Sequence, residues 1–327
     1  MAKNKKNSRI RYYLTSYIVL AMPRFILSLW RRHLLRDVER RDDYGYICER
    51  VDYYCSLPSL GNEEKEAFAA DTPTIGEQRV IKPKVYFLDF FTFARSFAKH
   101  LHYLICPGDV NYMPSEPAVV KSRPIVDDTR NATLMNMDKV RHFMFVDDST
   151  PWTEKHDKVI FRGAISQCEG MEYKKNRYDF MQKFFDAPFC DAGEIEQSGR
   201  CVREEWRKPK ISIDAHLKYK FIMALEGNDV ASNLKWVMSS SSIAVMPRPR
   251  FETWFMEGRL RADYHYIEIA DDYSDLEEKL NYYINHPSEA QAIIENANRY
   301  VSQFRNRKRE HIISLLVLDK YLKAVNR

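Results

Sequence analysis

Two apolar segments in the second half of the chain are followed by polar residues that suit an anionic ligand. The first is Lys158–Phe161, a candidate strand that leads into Arg162 and Gly163. Arginine presents a planar set of N–H donors that matches phosphate oxygens, and glycine lets a ligand approach the backbone. Ligands of open α/β sheets bind beyond the carboxyl ends of the strands, so this pair is a candidate phosphate site. A surface salt bridge is the alternative role for Arg162.

The second segment, Lys220–Leu225, leads into a turn, and we predict a helix over Ser232–Ser239. Free N–H groups at the start of a helix attract anions, and nearby hydroxyl, amide and ammonium groups would strengthen that attraction. Capping of the helix by Asp229 or Ser232 is compatible with this role. The candidate ligand-binding residues of the segment are Gly227, Ala231, Ser232, Asn233 and Lys235.

The first half of the chain offers one carboxylate in a comparable position. His102–Cys106 is a candidate strand, a Pro-Gly turn follows it, and Asp109 comes next. A carboxylate placed there can act as a general base, although aspartate is also a common turn residue. Asp89 and His265 are the next candidates for the base, and a structural role is the alternative for the histidine.

Several well-known chemical motifs are absent from the sequence. There is no G-x-G-x-x-G or G-x-x-x-x-G-K-[ST] phosphate loop, and none of the six cysteines form a C-x-x-C pair. No two aspartates stand two residues apart, so the chain lacks the D-x-D pair with which many glycosyltransferases hold a metal ion. A nucleotide diphosphate would therefore be neutralised by Arg, Lys and backbone N–H groups, and we expect no metal cofactor.

The 327 residues are enough for two lobes, because single hydrophobic cores stop growing near ~250–300 residues. Strands and helices alternate in the second half, which predicts a parallel sheet covered by helices. In the first half we predict an extended run over Lys82–Leu88, a helix over Phe91–Leu101 and a strand over Phe143–Val146. The predicted division is a basic helical segment, an N-terminal lobe and a C-terminal lobe with terminal helices, at residues 1–60, 61–155 and 156–327. The family resemblance described below implies that the N-terminal lobe binds the acceptor and the C-terminal lobe the nucleotide.

The N-terminal segment is basic and partly apolar. Residues 1–36 contain nine Lys and Arg and no acidic residue, whereas the whole chain has a net charge of only +5. Pro23 and Arg24 interrupt the apolar run Tyr12–Trp30, so we predict an interfacial helix on an anionic membrane surface rather than a spanning one. A helix docked on the first lobe is the alternative. Nucleic acid is not an expected partner, because no nucleic-acid-binding motif is present.

The order of these segments resembles glycosyltransferase family 90, which includes bacterial lipooligosaccharide glycosyltransferases, capsule-associated xylosyltransferases and protein O-glucosyltransferases. The resemblance covers roughly residues 80–305 and is strongest over 158–285. The segments Val119–Ile125 and Lys139–Phe143 are similar to the bacterial branch. The segments that carry the resemblance are Phe161–Ala164, Asn176–Arg177, Lys218–Phe221, Glu226–Lys235 and Tyr264–Ile269.

The resemblance implies a GT-B architecture of two Rossmann-like lobes and an inverting transfer from a UDP-sugar without a metal. It implies that Asp109 is the general base, although the family context Arg-Asp-Tyr is replaced here by Gly-Asp-Val. Asn233 stands where related enzymes carry an arginine. The residues implied to hold the nucleotide and its diphosphate are Arg162, Gly163, Arg177 and Ala231–Lys235.

We therefore expect an α/β protein with a GT-B-like pair of lobes, a helical N-terminal segment and a helical C-terminus. Its expected activity is transfer of a hexose from a UDP-sugar to a lipid-linked oligosaccharide, such as the lipooligosaccharide core. Since no signal peptide is recognised, we expect a cytoplasmic protein, peripheral on the inner face of the cytoplasmic membrane. The alternatives are a retaining GT-B transferase of another family and a non-catalytic UDP-binding protein of the membrane surface.

Overall fold

The computed structural model describes residues 8–165, 174–196 and 201–327, and they form a mixed α/β protein. The helices are α1 (Arg9–Ala21), α2 (Arg24–Leu35), α3 (Tyr44–Tyr54), α4 (Asn62–Asp71), α5 (Lys84–Ala94), α6 (Lys139–His142), α7 (Lys175–Phe184), α8 (Ile213–His216), α9 (Leu234–Val237), α10 (Leu276–Asn285), α11 (Pro287–Ser302) and α12 (Arg307–Val325). The strands are β1 (Ile105–Cys106), β2 (Ala118–Val120), β3 (Ser122–Pro124), β4 (Ala132–Leu134), β5 (His156–Gly163), β6 (Cys190–Glu194), β7 (Tyr219–Met223), β8 (Ile243–Met246), β9 (Phe251–Thr253) and β10 (Ile267–Glu268).

The described residues divide into two compact units, which we name by their parallel sheets. The five-stranded unit contains residues 142–250 and 257–303. The three-stranded unit contains residues 8–141, 251–256 and 304–327. The structure thus groups the chain differently from the predicted three-part division, because both terminal regions belong to the three-stranded unit.

The five-stranded sheet is wholly parallel, as the alternation of strands and helices predicted. Its apolar strands place Phe161, Phe221 and Val245 in a buried cluster. Phe180 of α7 and Leu280 of α10 belong to the same cluster, so these helices pack on the sheet. Continuous apolar strands are typical of a parallel sheet that is covered by helices.

The strand order of this sheet defines where a ligand is expected. The order is β10-β8-β7-β5-β6. The first strand of this sheet along the chain, β5, therefore lies between the second, β6, and the third, β7. This is the 2-1-3-4-5 order of flavodoxin-like sheets, in which connections diverge between the first and third strands. The crevice beyond the carboxyl ends of β5 and β7 is therefore the switch point of the sheet.

The three-stranded unit contains a smaller parallel sheet with the order β1-β2-β4. Val119 pairs with Ile105 on one side and Thr133 on the other. A separate antiparallel pair joins β3 to β9, with Arg123 opposite Glu252. The side chains of those two residues also form an ion pair of 2.8 Å.

A buried arginine connects the terminal regions of the three-stranded unit. Arg50 of α3 is fully buried, and its guanidinium lies 2.5 Å from Oε1 of Glu310 in α12. Trp254 donates from Nε1 to the same carboxylate at 2.6 Å, and the ring of Tyr54 stacks on Trp254 with centroids 4.0 Å apart. Removing one partner of such a buried pair costs about 3–5 kcal/mol. Helix α12 therefore completes this unit, and its predicted place in the C-terminal lobe is corrected.

The first two helices dock on the three-stranded unit through one face only. Helix α1 packs on α5, and Arg95 donates to the carbonyls of Val19 and Met22 at 3.0 Å each. No single helix of the described residues is long and apolar enough to cross a membrane, whereas residues 9–40 pass that test together as a pair bent by 105°. The large apolar side chains that this pair exposes are Ile10, Leu14, Tyr17, Ile18, Met22, Phe25, Ile26 and Leu29.

Three local predictions in the first half are wrong. The helix predicted over Phe91–Leu101 is misplaced, because α5 spans Lys84–Ala94. Lys82–Leu88 is not extended, because a helix, α5, begins at Lys84 directly after Pro83. Its apolar residues bury several faces, so the run lacks the helical spacing that would identify it. Phe143–Val146 is not a strand, since the Val146 N–H donates to the Ser239 hydroxyl at 2.9 Å rather than to a neighbouring strand.

Candidate active site

One arginine bridges the carboxyl ends of β5 and β7. Arg177, in the first turn of α7, donates to the carbonyl of Ala164 at 2.9 Å, just beyond β5. It also donates to the carbonyls of Leu225 at 2.8 Å and Glu226 at 3.1 Å, both beyond β7. Its guanidinium therefore lies at the switch point of the five-stranded sheet.

The Arg177 guanidinium is a positive charge held by neutral groups. In the part of the chain that the structure describes, its hydrogen bonds go to carbonyl oxygens and none goes to a carboxylate. Loss of surrounding water lowers the pKa of Arg177 to about 10, which still leaves it charged at neutral pH. The nearby carboxylate of Asp229 favours the charged form, but it accepts no hydrogen bond from Arg177. An arginine that forms no ion pair within the described residues is suited to bind an anion.

Two glycines give the Arg177 guanidinium its space. A Cβ atom on Gly163 would lie 2.7 Å from the ring of Phe161 and 3.3 Å from Nη1 of Arg177. A Cβ atom on Gly227 would lie 3.2 Å from Nη2 of the same arginine. Both glycines therefore stand at the switch point, where the sequence predicted a close approach of ligand to backbone. Their lack of side chains also lets Arg177 reach the two strand ends.

Helix α7 begins against the same two strand ends. Asn176 donates from Nδ2 to the carbonyl of Glu226 at 2.9 Å, and its Oδ1 accepts from the Arg177 N–H at 2.9 Å. The hydroxyl of Tyr273 donates to the Asn176 carbonyl at 2.7 Å. The start of a helix carries partial positive charge, so the first turn of α7 adds to the field of Arg177.

Arg162 forms an ion pair with a residue of the neighbouring strand, β6. Its guanidinium donates to the Asp191 carboxylate at 2.8 Å and to the Asp191 carbonyl at 2.7 Å. Burial opposes ionisation of Asp191, but hydrogen bonds from Tyr219, Arg162 and Lys208 outweigh it and lower the pKa of Asp191 to about 2. Arg162 is therefore the cation of an internal ion pair, and its contact with a diphosphate stays a prediction.

Lys235 is likewise enclosed with an acidic partner. Its Nζ lies 2.5 Å from Oε1 of Glu257, and the two side chains are 0% and 1% exposed. A carboxylate at this distance cancels most of the lysine's charge at any site further away. A direct role of Lys235 in diphosphate binding also stays a prediction.

The predicted helix over Ser232–Ser239 is present but shorter than expected, because α9 spans only Leu234–Val237. The hydroxyls of Ser239 and Ser240 donate back to the carbonyls of Trp236 and Val237, which competes with continued helical bonding. One turn of helix has little dipole with which to attract an anion. Near its start, Ala231 is buried, Ser232 is exposed and Asn233 is partly exposed, with its Nδ2 donating to the Met223 carbonyl at 2.9 Å.

Several charged side chains lie together beyond the carboxyl ends of the strands in the three-stranded sheet. Asp109 follows β1 through Gly108, whose φ of +101° favours glycine. Lys121 directly follows β2, and its Nζ lies 2.5 Å from Oδ1 of Asp109. Arg141 of α6 approaches the same oxygen at 3.3 Å and also pairs with Asp138, beyond β4, at 2.7 Å. We name these four residues the Asp109 cluster.

Within the Asp109 cluster the two carboxylates differ in accessibility. The side chain of Asp109 is 25% exposed, whereas that of Asp138 is 7% exposed. Burial raises the pKa of Asp138, although Arg141 and Lys121 favour its charged form. Asp109 is thus the more accessible carboxylate of the cluster.

The two other candidates for a general base have structural surroundings. The Nδ1 atom of His265 accepts from the Arg261 N–H at 3.0 Å, and its ring lies between those of Tyr264 and Tyr300. Burial and the neighbouring arginine lower the pKa of His265 to about 4. Asp89 is 3% exposed and accepts from the Lys139 N–H at 3.2 Å, while burial raises its pKa.

No group of three or more His, Cys, Asp and Glu is placed to hold a metal ion among residues 8–165, 174–196 and 201–327. The cysteines in these ranges are free thiols, namely Cys48, Cys55, Cys106, Cys190 and Cys201, while Cys168 lies outside the described residues. The expected independence from a metal stays a prediction.

The described residues thus form a two-unit α/β protein, with a charged arginine at the switch point of one parallel sheet and a partly exposed carboxylate beyond a strand of the other. The model for glycosyl transferase family 90 matches residues 131–325. This match covers more than half of the chain, so the protein belongs to that family and is a glycosyltransferase. The resemblance expected from the strand-end residues is confirmed.

The chain is also similar to curated proteins, the first of which supports the same assignment. O-glucosyltransferase LpsA of Dichelobacter nodosus is 40% identical over 276 residues, which cover 84% of this chain and 82% of that protein. Uncharacterized protein 179R of Invertebrate iridescent virus 6 is 22% identical over a match that covers 49% of this chain and 16% of that protein.

Sequence reasoning missed the companions of Asp109. Lys121 and Arg141 lie in the two segments that are similar to the bacterial branch, but neither was singled out as part of the site. A signal was present, because Asp109, Lys121 and Asp138 each follow one of three short apolar runs. Carboxyl ends of parallel strands meet at one edge of a sheet, so recognising all three strands would have placed these side chains together.

Proposed function

We propose that this glycosyltransferase moves a hexose from a UDP-sugar to a saccharide hydroxyl, with inversion at the anomeric carbon and without a metal ion. The observation that carries the proposal is Arg177, a charged guanidinium without a carboxylate partner among the described residues, at the switch point of a nucleotide-binding type of sheet. In this proposal the five-stranded unit binds the donor and the three-stranded unit supplies the base, as the two lobes of a GT-B enzyme.

The donor site is proposed to centre on the first turn of α7. Arg177 and the N-terminus of that helix stabilise the diphosphate, where negative charge grows as the sugar leaves. Gly163 and Gly227 let the diphosphate approach the strand ends, and Ser232 and Asn233 offer a hydroxyl and an amide. Arg162, Ala231 and Lys235 support the site from inside the unit, since they are paired or buried.

The reaction is proposed to follow a single displacement. Asp109 accepts the proton of an acceptor hydroxyl while that oxygen forms a bond to the anomeric carbon. The bond between the anomeric carbon and the diphosphate oxygen breaks, and its electron pair leaves with UDP. The products are the inverted glycoside, UDP and a protonated Asp109, which returns its proton to water.

The acceptor is proposed to be a lipid-linked oligosaccharide of the lipooligosaccharide core type. The likeness of Val119–Ile125 and Lys139–Phe143 to the bacterial branch of the family supports this class of acceptor. The name of the Dichelobacter nodosus relative, an O-glucosyltransferase, supports glucose as the first sugar to test.

A screen of UDP-sugars with purified protein tests the donor and the metal together. We expect hydrolysis or transfer with at least one UDP-hexose, and we expect EDTA to leave the rate unchanged because the chain has no D-x-D pair. UDP release and the anomeric configuration of the product are measured. Abolition of turnover by EDTA and its recovery with Mn²⁺ or Mg²⁺ would contradict the metal-free proposal. A product of retained configuration would favour the retaining transferase. UDP binding without any turnover would favour the non-catalytic UDP-binding protein.

We also propose that the protein is peripheral on the anionic cytoplasmic face of a membrane. The apolar residues that α1 and α2 expose support an interfacial position, and so do the basic residues around them. Arg95 docks the end of α1 while these apolar residues remain exposed, so this proposal accommodates the docked-helix alternative.

Replacing Leu14, Phe25 and Leu29 together by serine tests this surface. These side chains are 60%, 65% and 57% exposed. We expect at least about a tenfold loss of affinity for vesicles that contain anionic lipid, because each buried apolar side chain contributes ~1.5–3 kcal/mol. Vesicle flotation or co-sedimentation measures the change. Val80→Ser, at an equally exposed apolar residue of the same unit, is the matched control, and unchanged binding of the triple variant would disprove the proposal.

A further inference from the structure

Two consecutive residues after β2 hold the loop that carries Asp109. Lys121 is 1% exposed, and its Nζ contacts Oδ1 of Asp109 at 2.5 Å. Ser122 is fully buried, and its hydroxyl lies 3.1 Å from both the N–H and the carbonyl of Val110. Lys121 therefore holds the Asp109 side chain, and Ser122 holds the backbone of the next residue, Val110.

The burial of Lys121 calls for a reason beyond stability. Moving an ammonium group out of water costs several kcal/mol. A buried ion pair often stabilises a protein no more than apolar residues of similar size would. The carboxylate that Lys121 meets is the accessible member of the cluster, at 25% exposure. A buried cation at a fixed distance holds such a carboxylate in its charged form and in one orientation.

We infer that Lys121 and Ser122 are positioning residues for Asp109, which they hold oriented toward the acceptor hydroxyl. This inference rests on the proposed role of Asp109 as the general base. Lys121 acts on the carboxylate and Ser122 on the turn of the chain at Val110. Both residues belong to the three-stranded unit, whereas Arg177 belongs to the five-stranded unit.

Lys121→Met, Lys121→Gln and Ser122→Ala test the inference when each is made alone and together with Asp109→Asn. We expect Lys121→Met to lower kcat by about ten- to hundredfold, because small displacements of a catalytic group have effects of that size. Lys121→Gln keeps a hydrogen-bond donor without the charge, so its loss should be smaller. The KM for the UDP-sugar should not change, since a positioning role affects the chemical step alone.

The double variants separate a positioning role from a general loss of stability. With Asp109 already replaced by asparagine, Lys121→Met should lower kcat no further, because the group that it positions is gone. Lys320→Met removes a lysine of the same unit that pairs with Asp52 at 2.7 Å on the surface, and it should leave kcat unchanged. Melting temperatures of all variants identify any that do not fold.

The outcomes distinguish this inference from the proposed function. Wild-type turnover in Asp109→Asn would remove the proposed base and the inference with it. An inactive Asp109→Asn beside a fully active Lys121→Met would overturn the inference alone. An equal fall of kcat by Lys121→Met in both backgrounds would also overturn it. If Lys121→Met does not fold, Ser122→Ala gives the same decision, since we expect a kcat loss that disappears in the Asp109→Asn background.

Discussion

Asp109→Asn lowers turnover by about 10²–10⁴-fold if the carboxylate is the general base, because a positioned base contributes a factor of that size. Asparagine keeps the shape of the side chain and removes its ability to take a proton. Affinity for UDP should be unchanged, since the proposed nucleotide site belongs to the five-stranded unit. Single-turnover kinetics with the best UDP-hexose and calorimetry with UDP measure the two effects.

The pattern of these two measurements decides the role of Asp109. Asp128→Asn is the matched control, because Asp128 lies in the same unit and forms an exposed pair with Arg130 at 2.7 Å. That variant should keep wild-type turnover. A large drop in melting temperature for Asp109→Asn, with turnover preserved in the molecules that remain folded, would make Asp109 a structural turn residue.

Arg177→Ala should weaken UDP binding by roughly ten- to hundredfold, because charge-assisted hydrogen bonds contribute ~1.5–3 kcal/mol. Arg177→Lys should also be impaired, since a lysine cannot reach three carbonyls in fixed directions and present charge to a ligand as well. Calorimetric titration with UDP measures the affinity, and the KM of the donor should rise in parallel.

Arg162→Ala is the comparison for Arg177→Ala, because both arginines lie at strand ends of the same sheet and both make internal hydrogen bonds. Loss of the ion pair with Asp191 should reduce stability, and the loss of UDP affinity should be the smaller of the two. Wild-type UDP affinity in folded Arg177→Ala would move the diphosphate away from the switch point. A larger loss of UDP affinity in Arg162→Ala than in Arg177→Ala would assign diphosphate binding to Arg162 at the end of β5.

The strands around the candidate site could be predicted because they are short apolar runs with clear ends. The segments predicted at Lys158 and Lys220 are β5 and β7, within two residues of the predicted starts. A buried parallel strand has a continuous apolar sequence, and polar residues mark where it leaves the sheet. The positions of Gly163 and Gly227 at strand ends followed from the same pattern.

The partners of the charged residues could not be predicted, because they come from distant parts of the chain. Arg162 meets Asp191 and Lys235 meets Glu257, so both predicted phosphate ligands are already paired inside the protein. No local pattern around a lysine or arginine shows which carboxylate will fold against it. Arg177, which family resemblance alone indicated, is the one of the three that contacts only carbonyl groups within the described residues.

Arg50 and its partners have a consequence for how the chain is made. Glu310, which neutralises the buried guanidinium, is synthesised 260 residues after Arg50. The ribosome therefore releases α3 and the three-stranded sheet long before α12 arrives to cover them. During that interval Arg50 has neither the Glu310 carboxylate nor the ring of Trp254, which is also synthesised late. The first unit to emerge is therefore the last that can be completed.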